Sequence, residues 1–154
     1  MSSFSRFATS LAAALALATT ATSVFAHDND YLDSLKSPNG GQTRMAGAYH
    51  FELVMVKDSK DVKENQVTVY VTDHAGTKIP TAGATGTATV LAGKVKTTAT
   101  LVPDGDNRLK STAKYASTAD IKAVVSITLA GKPAEQARFT PFVVVKDAHT
   151  EHKH

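Results

Sequence analysis

Tyr49-His50-Phe51-Glu52-Leu53-Val54-Met55-Val56 alternates: Tyr49, Phe51, Leu53 and Met55 take every second position, with His50, Glu52, Val54 and Val56 between them. Successive side chains of a strand leave opposite faces, so this period of two marks a strand with its aromatic face turned inward. The same period returns in Val67, Val69 and Val71 within residues 66–73. It is cleanest in Ile121, Ala123, Val125, Ile127 and Leu129. Residues 87–92 and 95–101 are rich in β-branched side chains and flank Ala92-Gly93, which predicts a hairpin. A last strand is expected over 136–146.

Turn chemistry separates these runs. Ser37-Pro38-Asn39-Gly40-Gly41, Asp73-His74-Ala75-Gly76, Pro103-Asp104-Gly105-Asp106-Asn107 and Ala130-Gly131-Lys132-Pro133 all carry residues that favour reversal. The phrase Leu-Ala-Gly-Lys occurs at 91–94 and again at 129–132, each time at a hairpin tip. Shared turn chemistry explains that repeat better than a duplicated domain. Residues 57–65 read as a solvated connection, and 109–119 are ambiguous, with room for a short helix. About seven short strands, with no helix of ten or more residues, define an all-β class. The expected architecture is a single Ig-like β-sandwich domain, with a partly open barrel as the alternative.

The opening residues have a different character. Arg6 is the one charge in residues 1–26, an Ala- and Leu-rich stretch follows it, and Val24-Phe25-Ala26 places short residues before a cut after Ala26. This is the pattern of a secretory signal peptide, and the apolar run is interrupted and short for a membrane span. The expected organisation is therefore a signal peptide at 1–26, a polar lead-in and loop at 27–48, a β domain at 49–146 and a His-rich tail at 147–154. The chain is expected to be periplasmic or secreted, with no membrane attachment after cleavage.

Composition narrows the chemistry. The sequence has 17 basic and 14 acidic residues, an excess too small and scattered to argue for nucleic acid. It has no cysteine, which removes thiolate zinc sites, iron–sulfur clusters, cysteine nucleophiles and blue-copper centres. There is no Gly-x-Ser-x-Gly elbow and no His-Glu-x-x-His pair. The stretch from Gly86 to Lys94 has six residues between its glycines and Val95 after the lysine, which rules out a phosphate loop. Asp104 and Asp106 begin like a calcium loop, but the glycine and terminal glutamate that such a loop needs do not follow. The chain is not expected to be an enzyme. A copper oxygenase using a terminal histidine is the enzyme class weighed, and the absence of tryptophan speaks against its carbohydrate-binding face.

The informative residue is histidine. His50 and Glu52 lie two apart on one strand and therefore share a face, and an imidazole beside a carboxylate is an ordinary pair of zinc or copper ligands. The competing reading is a solvent-facing pair. His74 follows Asp73 at the end of the next strand, and an antiparallel return would bring it close to Tyr49 and His50. Met45, Met55 and Tyr49 are further soft or aromatic donors in the same region. His27 would become the amino terminus after cleavage, where amine and ring nitrogen together suit Cu(II). His149, His152 and His154 stand with Glu151 in the last six residues, and such tracts chelate transition metals loosely.

Several segments carry a resemblance: Gly40-Gly41-Gln42, Ala46 to Val54, Val69 to Gly76, Gly83 to Leu91, and Pro103 to Leu109. Together they resemble a family of small exported bacterial proteins and the periplasmic parts of heavy-metal efflux systems, over residues 38–140. The resemblance implies a metal-handling or metal-resistance accessory, with His50, Glu52, Asp73 and His74 as the matching positions. A weaker likeness is to periplasmic copper carriers that begin with histidine on a β-sandwich. His27 matches that feature, although the methionine-rich segment of some such carriers is missing here. The expectation is a binding protein for a divalent transition metal, copper or zinc, acting as carrier, buffer or efflux accessory with an envelope efflux component as partner. The alternative is a non-catalytic structural or interaction domain with no metal of its own.

Overall fold

The clearest alternations, at Tyr49–Met55, 67–71 and 121–129, fall on strands or their ends, and the apolar faces they mark are buried. The computed structural model describes residues 29–144. One short helix, α1 (Asn29–Ser34), precedes eight strands: β1 (Gln42–Ala46), β2 (Tyr49–Met55), β3 (Lys63–Asp73), β4 (Thr85–Ala92), β5 (Val95–Pro103), β6 (Arg108–Tyr115), β7 (Lys122–Thr128) and β8 (Ala134–Phe139). All pairings are antiparallel, in the order β1-β2-β3-β6-β5-β4-β7-β8. β5 joins the two halves, pairing with β4 from Val95 to Leu101 and with β6 only through Val102 and Pro103. A strand shared in this way lets the sheet curl over one core. Phe51, Leu53, Val69, Leu109, Val125 and Phe139 meet there. Burying each such side chain is worth about 1.5–3 kcal/mol.

β1 and β8 are the two ends of the sheet and each pairs with one neighbour. Gln42 spans the gap with its side chain: the Thr140 N–H donates to Gln42 Oε1 at 2.8 Å, and Gln42 Nε2 donates to Thr140 Oγ1 at 3.5 Å. The chain is therefore an all-β single domain in the form of a nearly closed, partly open barrel.

Four details depart from the sequence reading. β1 lies inside the stretch assigned to the lead-in and loop, because five residues with Arg44 at their centre give too little apolar alternation to register. β3 begins at Lys63, within the connection expected at 57–65. Buried Asn65 there donates from Nδ2 to Ser59 Oγ at 2.8 Å and to the Tyr115 carbonyl at 2.7 Å. The ambiguous stretch 109–119 holds a strand and no helix. Leu109, Ala113 and Tyr115 are buried at period two, a signal diluted by the small residues Ser111 and Ala113. β8 stops at Phe139 although a strand was expected to 146; Pro141, which has no N–H to give a ladder, follows shortly after.

The hairpin at Ala92-Gly93 forms as expected. Ala92 pairs with Val95 across Gly93 and Lys94, and Gly93 takes φ +59°, the left-handed conformation that a two-residue turn of this kind requires.

Candidate functional site

The outer face of β1–β3 is where the histidines come together. Strand register sets Met45 opposite His50, and His50 opposite Thr72. His74 stands in the turn just after β3, two residues beyond Thr72. The His50 and His74 rings stack, with centroids 4.8 Å apart and planes 11° from parallel. His50 Nε2 lies 3.0 Å from Met45 Sδ, and His74 Nε2 lies 3.1 Å from the Gly47 carbonyl oxygen. In the tautomer where His74 Nε2–H donates to Gly47, Nδ1 is the unprotonated nitrogen.

A cleft of about 470 Å³ opens over this face, lined by His50, His74, Thr72 and Tyr70 on the sheet side. Tyr31, Leu32 and Leu35 and the loop through Pro38 and Asn39 form its other wall. That wall is held by Arg44, whose Nη1 and Nη2 donate to the two oxygens of Asp33 at 2.6 and 3.0 Å. Both partners are largely buried, and the forked geometry fixes the angle of α1 as well as its position. Ser37 and Thr43 share a hydrogen bond at 2.8 Å below it.

Glu52 shares the face of His50, as the spacing requires, but its carboxylate serves the loop. Oε1 accepts from the backbone N–H of Asn39 at 2.8 Å and of Gly41 at 3.0 Å, and Oε2 accepts from Asn39 Nδ2 at 2.9 Å. The residue is only 5% exposed, and these bonds are what allow a carboxylate to be buried there. Asp73 is likewise occupied. Its Oδ1 accepts from the N–H groups of Ala75 and Thr77, both at 2.8 Å, closing the turn that carries His74. The Thr77 N–H first, and that of Ala75 after it, hold the Asp73 carboxyl below its ordinary value of 3.8.

Of the sequence-derived positions, then, His50 and His74 meet, while Glu52 and Asp73 order the segments on either side of them. His27, His149, His152 and His154 lie outside the described residues. Among the described residues, no three His, Asp or Glu side chains converge. The contact that sequence reasoning left unassigned is Met45 to His50, which depends on the β1–β2 register. The calcium-like aspartates are paired with cations: Asp104 with Arg108 at 2.8 Å and Lys110 at 3.0 Å, and Asp106 with Lys78 at 2.8 Å.

Two imidazoles bound through nitrogen to one ion at about 2.0–2.1 Å place their centroids about 4.5–5.2 Å apart when the angle at the ion is about 90–110°. The observed spacing of 4.8 Å lies inside that interval. The stacked planes need a turn about one χ2 to aim both nitrogens at one point, and χ2 of histidine is a broad torsion. No family model matches the chain, and no curated relative matches it.

Proposed function

We propose that this chain is an exported, non-enzymatic binding protein for a transition metal, copper or zinc, working as a carrier or buffer in the bacterial envelope. The observation that carries this reading is the His50–His74 pair, brought together from β2 and from the turn after β3 with ring centroids 4.8 Å apart. The rings stand at the rim of a cleft whose far wall is held by Arg44–Asp33 and by Glu52. Export rests on the leader pattern at 1–26 and places the site in a compartment where a metal carrier exchanges its cargo. The resemblance to envelope metal-efflux accessories points the same way and suggests an efflux component as the recipient. The tail histidines and His27 would add looser capture around the ordered site.

Imidazoles must be neutral to coordinate, so protons compete with the metal and affinity falls in acid. The test is calorimetric titration of Cu(II) and Zn(II) into the full chain with His27, His149, His152 and His154 replaced by alanine. One ion per chain is expected, weakened in His50→Ala and in His74→Ala, with the double variant little worse than either alone. Unchanged affinity in both single variants overturns the reading and leaves a structural or interaction domain. Intact-mass measurement on periplasmic extract checks export, with a chain beginning at His27 expected.

A further inference from the structure

We infer that Met45 is the third ligand beside His50 and His74, and that the site is built for Cu(I) rather than for zinc. The inference rests on the reading of the two histidines as metal ligands and goes beyond it in naming the donor set and the ion.

The first argument is geometric. Met45 and His50 are direct cross-strand partners in an antiparallel pair, so their side chains rise together from the outer face. Met45 Sδ and His50 Nε2 are 3.0 Å apart. A thioether is a weak acceptor, and a neutral imidazole gains little from so close an approach as a hydrogen bond. Two donor atoms bound to one ion, at about 2.0–2.1 Å for nitrogen and 2.3 Å for sulfur and at 90–110°, would lie roughly 3.1–3.6 Å apart. The observed spacing is within a tenth of an ångström of the short end of that range. Met45 therefore touches one side of the His50 ring system while His74 stacks against it, so the thioether is a neighbour of the histidine pair.

The second argument is chemical. The carboxylates that flank the pair in sequence, those of Glu52 and Asp73, are engaged by backbone N–H groups of the loop and turn beside it. The proposed donors are two imidazoles and a thioether, a set with no formal charge. Zinc is stabilised by thiolate or carboxylate donors that offset its double charge, whereas soft thioether sulfur selects Cu(I). A neutral set also suits a monovalent ion, because less positive charge is left uncompensated in the cleft. Of the two lysines that line the cleft, Lys36 and Lys78, the second is tied to Asp106 at 2.8 Å.

The experiment uses the full chain with His27 and the three tail histidines replaced by alanine, so that only the ordered site is read. Cu(I) is titrated without oxygen against a chromophoric Cu(I) chelator, and Zn(II) against a zinc indicator, in the parent, Met45→Leu and His50→Ala proteins. Met45→Leu is expected to lower Cu(I) affinity by about tenfold or more and to leave Zn(II) affinity within about twofold, while His50→Ala lowers both. Copper K-edge absorption of the Cu(I) protein should show a sulfur neighbour at about 2.3 Å that disappears in Met45→Leu. The absorption measurement on the parent stands by itself if the leucine variant does not fold. Absence of a sulfur neighbour in the parent overturns the inference. So does a Cu(I) affinity that Met45→Leu leaves unchanged. If His50→Ala still weakens binding in that case, the metal-binding reading survives and only the thioether assignment falls; if His50→Ala changes nothing either, both fall.

Discussion

Replacing Glu52 separates a loop clamp from a metal ligand. In Glu52→Ala the N–H groups of Asn39 and Gly41 and the Asn39 side-chain amide lose their acceptor. A hydrogen bond to a charged group contributes about 1.5–3 kcal/mol net, and the space left by Cγ, Cδ and the two oxygens adds to that loss. Asn39 and Gly40 are exposed, however, so water re-solvates part of the loop once it loosens. The expected cost is therefore about 2–4 kcal/mol, less than three full bonds. Glu52→Gln keeps an oxygen for the two backbone donors, and the Asn39 amide can rotate to offer its oxygen to the new NH2. That variant should lose only about 1 kcal/mol. Equilibrium urea unfolding measures both, with an unchanged slope as evidence that the unfolded state is the same. In the metal titration, Glu52→Gln should bind copper and zinc nearly as the parent does. A Glu52→Ala protein as stable as the parent would refute the clamp, and a large loss of metal affinity in Glu52→Gln would make the carboxylate a ligand after all.

Three further outcomes follow from the packing. Tyr115 is fully buried, and its hydroxyl accepts from the Val56 N–H at 2.9 Å and donates to the Gln66 carbonyl at 2.7 Å, so Tyr115→Phe strands two backbone groups. It should cost about 1–3 kcal/mol in urea unfolding. Gly41→Ala would drive its Cβ into the Leu53 carbonyl, a backbone atom that cannot turn aside, and should lower the thermal midpoint and loosen the loop over the cleft. Asp73, Asp104 and Asp120 are all held below their ordinary 3.8, chiefly by the Thr77 N–H, by Lys110 and by the Thr118 hydroxyl respectively. Their contribution is fully present above about pH 3.8 and is lost as pH falls below it through the lowered values. Acid unfolding followed by circular dichroism should begin in that window and be shallower in Asp73→Asn.

The sequence by itself determined the all-β class and the apolar faces of its clearest strands. Alternation in Tyr49–Met55 and in 121–129 commits one face to burial, because a shift of one residue would expose every apolar side chain. It also determined that His50 and Glu52 share a face, and that the Asp73-His74-Ala75-Gly76 turn returns His74 toward His50. Tertiary structure decided the rest. Met45 became a neighbour of His50 only through the register of β1, a strand too short and too polar to announce itself. Glu52 looks like a ligand by spacing, but its oxygens face the Asn39–Gly41 loop, which the chain folds over it from eleven to thirteen residues upstream. Whether the sheet would close as a sandwich or a barrel depended on β5 bridging both halves and on Gln42 reaching Thr140, contacts that span up to 98 residues. Local patterns record which side of a strand is apolar. They carry no record of which distant segment will supply the acceptor, the donor or the sulfur that meets it.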